Sequence, residues 1–359
     1  TAPRAVPRLA GLSVMADGLE NALLRRWYGG HAPGVSLRAV AAVYGGLMRL
    51  RRWAYRVGLR RVSHLPAPVL VVGNRTVGGA GKTPLVIALV EALRARGWRP
   101  GVVSRGFGRS LREPLDVRAD IAASAVGDEP LLVHLTTGAP VRVDADRTAA
   151  ARHLIEAGCD LVIADDGLQH LRLGRRVEIE VQDARGLGNG FVMPAGPLRE
   201  PVPARPADFL IVHGREAGEG EVPMRLNLGE ARRAGQGSAL PVGTHAAPAD
   251  IAPSSRPLAS FIGTPVHAVA GIGDPSRFFR ALRDAGLAPV EHPFPDHHAF
   301  VAEDFAALTG APILMTGKDA VKCRALDLPD AWEVPRRSCW PPTIRVSPMP
   351  SMDSPFASA

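Results

Sequence analysis

Val69-Leu-Val-Val-Gly-Asn-Arg-Thr-Val-Gly-Gly-Ala-Gly-Lys-Thr83 is the stretch that decides the fold. Its first four residues are apolar without interruption, the pattern of a strand buried on both faces. A glycine-rich turn follows, and a helix is expected over 84–96, ended by Gly97. Strand, glycine-rich turn and helix in this order make a phosphate-binding loop. The glycines let the backbone curl so that its N–H groups face phosphate oxygens, and the helix N-terminus adds positive potential. The nucleotide cradle is therefore Thr76, Val77, Gly78, Gly79, Ala80, Gly81, Lys82 and Thr83. Lys82 is placed to reach the β- and γ-phosphates, and the Thr83 hydroxyl to face Mg²⁺. One position departs from the usual pattern, which begins with glycine five residues before Gly81; here it is Thr76.

Working outward, residues 101–104 and 160–164 read as further buried strands and 149–157 as a helix. Strands alternating with helices predict an α/β fold with a parallel-sheet core. Asp165 and Asp166 directly follow the strand at 160–164. A carboxylate at a strand end beside a phosphate loop is suited to holding Mg²⁺, directly or through water; which of the two lies nearer the metal stays open. Residues 201–260, rich in Pro, Gly and Ala, read as a crossover or linker. A second α/β unit follows, with strands at 266–270 and 312–316 and a helix at 276–285. The expected organisation is an N-terminal segment (1–62), a phosphate-loop core (63–245), a smaller α/β lobe closing a cleft (246–335) and a loose tail (336–359).

Upstream of the core, Leu37, Val40, Val43, Tyr44, Leu47, Leu50, Trp53, Ala54 and Val57 recur at three- and four-residue steps over 36–61, an amphipathic helix. Arg49, Arg51, Arg52, Arg56, Arg60 and Arg61 crowd its second half. Such a helix either lies on an anionic membrane surface or packs on the core with a solvated arginine face. The chain of 359 residues carries a net charge of +8, mostly through arginine, which points to an acidic partner. Three scattered cysteines suggest a reducing compartment and form no zinc or disulfide pattern. No signal peptide, no uninterrupted apolar span of about 18 residues and no Gly-x-Ser-x-Gly nucleophile context is expected.

Beyond the loop, eight segments in order resemble the lipid A 4′-kinases, also called tetraacyldisaccharide 4′-kinases. They are residues 73–84, Ser104-Arg-Gly-Phe-Gly-Arg109, Gly127-Asp-Glu-Pro130, Asp165-Asp-Gly-Leu-Gln-His170, Gly188-Asn-Gly190, Pro194-Ala-Gly-Pro-Leu-Arg-Glu-Pro201, Phe294-Pro-Asp-His-His298 and Lys318-Asp-Ala-Val-Lys-Cys323. The resemblance spans about residues 27–332, and a loop beginning Thr-Val-Gly-Gly is common in that family. Gly317, before Lys318, departs from it, since an acidic residue is more usual there.

The resemblance implies ATP- and Mg²⁺-dependent phosphorylation of the 4′-hydroxyl of a lipid-linked disaccharide. It implies a peripheral protein on the cytoplasmic face of a bacterial inner membrane, which favours the membrane reading of the 36–61 helix, and no nucleic-acid partner. It adds Glu200 to Asp165, Asp166 and Thr83 as metal-site residues. It makes Asp128 the base candidate and His297 its partner, chosen over the adjacent His298 by aligned position. The pair is expected to meet across the cleft; the alternative for Asp128 is a helix N-cap. Gln169 and His170 are candidates for the disaccharide head group, and Arg105, Arg109 and Arg199 for phosphate. The competing function is another phosphate-loop ATPase or GTPase with a regulatory role at the membrane. Val77 stands where partitioning ATPases carry lysine, and the guanine-reading Asn-Lys-x-Asp is absent.

Overall fold

The computed structural model describes residues 23–30, 32–203, 205–234 and 255–339. The strand of the quoted stretch, β1 (Val69–Gly73), is buried at every position and lies at the centre of an eight-stranded sheet. It runs parallel to β5 (Leu161–Asp165) on one side and β6 (Val177–Gln182) on the other. Beyond β5 lie β2 (Pro100–Ser104), β4 (Val141–Val143) and β3 (Leu115–Asp116); beyond β6 lie β7 (Phe209–Val212) and β8 (Glu221–Pro223). Only β3 is antiparallel to its neighbour.

A strand buried on both faces needs cover on both. Leu70 and Val72 pack with Leu85, Val86 and Val90 of α2 (Lys82–Arg94), and with Leu131 and Val133 of α4 (Asp128–Thr137). Val69 and Val71 point the other way, onto Ala150, Ala151 and Leu154 of α5 (Arg147–Glu156). The two-residue alternation of the strand thus joins two separate apolar layers. A one-turn helix, α3 (Ala123–Val126), leads through Gly127 into α4.

The second sheet has the order β11 (Ser255–Arg256), β10 (Ala231–Arg233), β15 (Ala331–Val334), β14 (Ile313–Thr316), β12 (Val266–Ala270), β13 (Pro289–Pro293). Phe278, Phe279 and Leu282 of α6 (Pro275–Asp284) cover one face. Met315 and Ile313 meet Phe300 and Phe305 on the other, and α7 (Gly317–Lys322) follows β14. An antiparallel ribbon of β9 (Arg225–Leu228) and β16 (Arg336–Cys339) bridges the two sheets.

Two expectations about the chain's course are corrected. Residues 205–234, expected as linker, hold four strands of three or four residues: β7 is a wholly apolar run and β9 alternates, while β8 and β10 take their stability from paired neighbours rather than from a pattern of their own. Residues 336–339, expected at the start of a loose tail, pair with β9, and the Ser338 hydroxyl donates to the Pro84 carbonyl at 2.9 Å. The expected lobe boundary at 245/246 and the tail from 340 onward lie outside the described residues.

The amphipathic helix forms as α1 (Val35–Arg56). It ends earlier than 61 because Gly58, at φ 78°, turns the chain back and Arg60 N–H bonds the Ala54 carbonyl. Its docked side is built from small residues: Ala41, with Leu37 and Tyr44 beside it, packs on Val192, Ala195 and Leu198. The space at Gly45 faces Val192 and Pro201 at 3.5 and 3.6 Å. The large apolar residues Val40, Val43, Leu47, Leu50, Trp53 and Val57 are each more than half exposed. Among the described residues no helix is long and apolar enough to cross a membrane.

Candidate active site

The phosphate loop leaves β1 at the carboxyl edge of the core sheet, where ligands of parallel α/β folds bind. Gly78 (φ 101°) and Gly81 (φ 78°) adopt the left-handed conformations the turn requires. Gly81 is also confined: a side chain there would meet His213 Nε2 at 2.9 Å, the nitrogen that contacts the Ala80 carbonyl. Val77 N–H donates to the Pro197 carbonyl, so the 194–201 segment braces the loop from outside. Lys82 is buried, donates to Asn74 Oδ1 at 3.0 Å and lies 3.5 Å from Asp166 Oδ1. Thr83 is buried in the first turn of α2.

Asp165 is the last residue of β5 and is 1% exposed. Its Oδ1 is buried without a hydrogen-bond partner among the described residues. Burial, then the charge of Glu129, pushes its pKa up to about 7 against the pull of Lys82. A buried carboxylate oxygen lacking a partner fits a site completed by a cation. Asp166 is different: burial pushes its carboxyl up, but Lys82 and Arg199 outweigh this and hold it below the ordinary range. Arg199 donates to both its oxygens at 2.6 and 2.8 Å, and Arg147 donates to its carbonyl. Glu200 lies apart from these two. Its carboxylate accepts from Arg52 at 2.7 and 3.0 Å and from Gln169 at 3.3 Å, with Arg75 at 3.6 Å. Among the described residues no three His, Cys, Asp or Glu side chains converge as a metal cage. Mg²⁺, which keeps waters and commonly takes one or two carboxylates plus substrate phosphates, does not require one.

Asp128 and His297 meet across the two sheets, Oδ2 to Nδ1, at 3.2 Å. Asp128 is the first residue of α4, with Gly127 at the cap position, so its carboxylate does not cap the helix; Oδ1 accepts from Glu129 N–H at 3.0 Å. Burial pushes Asp128 up, but the His297 hydrogen bond and the Lys318 charge bring it below the ordinary range. The same hydrogen bond raises His297. His298 turns away to Asp304 at 2.8 Å and packs between Phe294 and the edge-on ring of Phe300. Asp166 (φ 50°) and His297 (φ 59°) are the non-glycine residues with positive φ among the described residues. Both stand in this site, where such backbone strain concentrates.

The remaining sequence candidates divide. Gln169 donates to the Asn74 carbonyl and to Glu200, and its own carbonyl accepts from Arg51. His170 Nε2 is buried without a partner among the described residues, and burial followed by the charge of Arg147 pushes its pKa down to about 4, leaving a neutral imidazole. Arg105 is exposed, whereas Arg109 spends its guanidinium on the carbonyls of Arg112, Glu113 and Val143. Sequence reasoning passed over Asn74, although it lies inside the quoted stretch, and Glu129, which is adjacent to Asp128 and bonds Lys318. It also passed over Phe107, whose exposed ring lies tilted against His297 at 5.3 Å.

The model of the family described as tetraacyldisaccharide-1-P 4′-kinase matches residues 34–356. A tetraacyldisaccharide 4′-kinase of Stenotrophomonas maltophilia (strain R551-3) is 49% identical over 333 residues, 89% of this chain and 94% of the relative. Its counterpart in Xanthomonas euvesicatoria pv. vesicatoria (strain 85-10) is 47% identical over 336 residues, 89% and 93% of the two chains. The crystal structure of LpxK from Aquifex aeolicus in complex with ATP superimposes with a TM-score of 0.70 at 25% identity, covering 85% of this chain and 94% of that one.

Proposed function

The chain belongs to the tetraacyldisaccharide-1-P 4′-kinase family, and from that premise we propose how its residues carry the reaction. It is an ATP-dependent kinase that phosphorylates the 4′-hydroxyl of a tetraacyldisaccharide 1-phosphate, a step of lipid A biosynthesis, giving the bis-phosphorylated lipid IVA and ADP. In the proposed mechanism the loop residues 76–83 hold the triphosphate, and Lys82 meets its terminal phosphates. Thr83, Asp165 and Asp166 would hold Mg²⁺, Asp166 on loosening its hold on Arg199, and Glu200 would have to release Arg52 to join them. When bound, the metal neutralises charge on the phosphates in transfer. Asp128, oriented by His297, accepts the proton of the 4′-hydroxyl as its oxygen bonds the γ-phosphorus and the bond to ADP breaks. Arg105, Arg199, Gln169 and the neutral His170 surround the acceptor's head group.

The observation that carries this assignment is the Asp128–His297 pair, which joins the two units through a 3.2 Å contact. Its test is incubation with Mg-ATP and a monophosphorylated tetraacyl disaccharide. A second phosphate on the disaccharide is expected for the wild type and none for Asp128→Ala, which should still bind nucleotide; full activity in that variant removes Asp128 from the mechanism. We further propose that the exposed stripe of α1, with the arginines around it, seats the protein peripherally on the anionic cytoplasmic face of the inner membrane, where the acyl chains of its substrate are anchored.

A further inference from the structure

Lysine occurs at three positions in this chain, 82, 318 and 322, and arginine supplies the rest of its 43 basic residues. All three lysines stand at the site or directly beneath it. In a chain that otherwise uses guanidinium, ammonium at these places points to a need for a compact charge that a flat fork does not replace. Lys82 belongs to the phosphate loop, and the reaction as described gives the other two no part.

Lys318 reaches from α7 across the cleft and hydrogen-bonds Glu129 Oε1. Glu129 adjoins Asp128, and its N–H fixes one oxygen of the Asp128 carboxylate while His297 holds the other. Burial alone would lower the Lys318 ammonium, but the charges of Glu129 and Asp128 outweigh it and keep it protonated. The far side of α7 supports the other half of the pair. Asp319, fully buried, accepts from Gly271 N–H at 3.1 Å and from the Thr316 hydroxyl at 2.6 Å. Lys322 lies 2.8 Å from Asp319 Oδ1 and donates to the Gly271 carbonyl at 3.3 Å. A side chain at Gly271 would meet the Pro295 carbonyl at 3.2 Å, two residues before His297. One short helix therefore grips the residue beside Asp128 and underpins the turn that presents His297.

We propose that Lys318 is a positioning residue for the transfer, its ammonium on Glu129 setting both the alignment and the charge of the Asp128–His297 pair. This rests on the reading of that pair as the base. His297 faces Asp128, Asp296 and Lys318; Asp128 faces His297, Lys318 and Lys322. Lys318 opposes protonation of both members, so its removal favours a proton on the pair.

Steady-state kinetics of Lys318→Gln and Lys318→Arg, beside Asp128→Ala, test this. Lys318→Gln is expected to lower kcat about tenfold or more, a fraction of what a well-placed base supplies. KM for ATP should stay within about twofold, and the acid limb of the pH profile should move to higher pH. Lys318→Arg keeps the charge, so it should keep the wild-type limb and recover part of kcat. A kcat near wild type in Lys318→Gln overturns the proposal, as does an equal loss in both variants with the limb unmoved. If Asp128→Ala stays fully active, the base reading fails; if Asp128→Ala is inactive and Lys318→Gln is not impaired, only the role of Lys318 fails. Should Lys318→Gln not fold, Lys318→Arg decides: a displaced limb overturns the proposal, and a wild-type limb with reduced kcat supports it.

Discussion

Among the described residues Lys82 has one hydrogen-bonding side chain, Asn74, and a longer contact with Asp166, so its amine is held by a neutral amide and one carboxylate. Lys82→Ala should therefore abolish both transfer and productive triphosphate binding; calorimetric titration with Mg-ATP checks it, and undiminished affinity would contradict it. Asp128 and His297 support a second prediction, in which the sign follows from linkage. His297 is raised above its ordinary 6.5, so its share of stability is present below that value and lost as pH rises through the folded one. Asp128 is lowered below its ordinary 3.8, so its share is present above that value and lost as pH falls through the folded one. The pair stabilises most between those two values. In Asp128→Asn the His297 imidazole, followed by NMR, should titrate at lower pH than in the wild type, and the difference in Tm between the two proteins should be larger near pH 6 than near pH 9. At this scale the sequence was legible where chemistry is local. The loop sits in one strand-turn-helix context, Asp165–Asp166 end an apolar run that forms the neighbouring strand, and both were readable directly. Asp128, His297 and Glu200 became candidates only through family-like motifs, because their partners come from distant segments. Lys318 and Glu129 escaped because their contact forms only when two sheets come together.

At the scale of elements, α1 separates two jobs that its periodicity could not distinguish. The three- and four-residue steps marked an apolar stripe, but steps alone do not say which side meets protein. The structure docks the small side through Ala41 and Gly45 and turns Val43, Leu47, Leu50 and Trp53 outward. Strands β1, β2, β5, β12 and β14 were legible because each is a short, almost wholly apolar run. Strands β8, β10 and β16 were not, because they are short and without a pattern of their own, and their partners make them strands; β7, a wholly apolar run, and β9, which alternates, were passed over inside a stretch read as linker from its Pro, Gly and Ala. The division of α1 predicts opposite outcomes on its two sides. Leu47→Glu with Trp53→Glu should leave the Tm nearly unchanged, as exposed sites do, yet reduce co-sedimentation with vesicles containing anionic lipid severalfold. Gly45→Leu, pressed against Val192 and Pro201, should destabilise by about 1–3 kcal/mol through overpacking. If the double glutamate variant sediments like the wild type, the stripe is not the membrane contact.

At the scale of the whole molecule, two sheets with separate apolar layers are joined by the β9–β16 ribbon and by side chains that cross the cleft on two flanks. The Asp128–His297 and Glu129–Lys318 pairs form one flank. On the other, Arg277 of α6 donates to Asp183 at 2.9 Å, and the same carboxylate holds Arg185, whose guanidinium lies 3.5 Å from the Gly79 carbonyl of the phosphate loop. That the chain makes two α/β units was readable from strand and helix alternation; of how they engage, the Asp128–His297 contact was expected through the family resemblance, whereas the Glu129–Lys318 and Asp183–Arg277 contacts were not, since they join residues far apart in sequence. Asp183 is 4% exposed, so its charge needs its partners. Burial pushes its carboxyl up, and the hydrogen bond and charge of Arg185, with Arg277, bring it below the ordinary range. Arg277→Gln leaves Arg185 in place, so the loss should be that of one charge-assisted hydrogen bond, about 1.5–3 kcal/mol. At about 2–4 °C per kcal/mol for domains of this size, the Tm should fall by several degrees. Because the lost tie lies beside the loop, affinity for Mg-ATP should fall too, while the pH profile set on the opposite flank stays where it was. A lowered Tm with unchanged nucleotide affinity would mean that the Asp183 flank fastens the two units without shaping the loop between them.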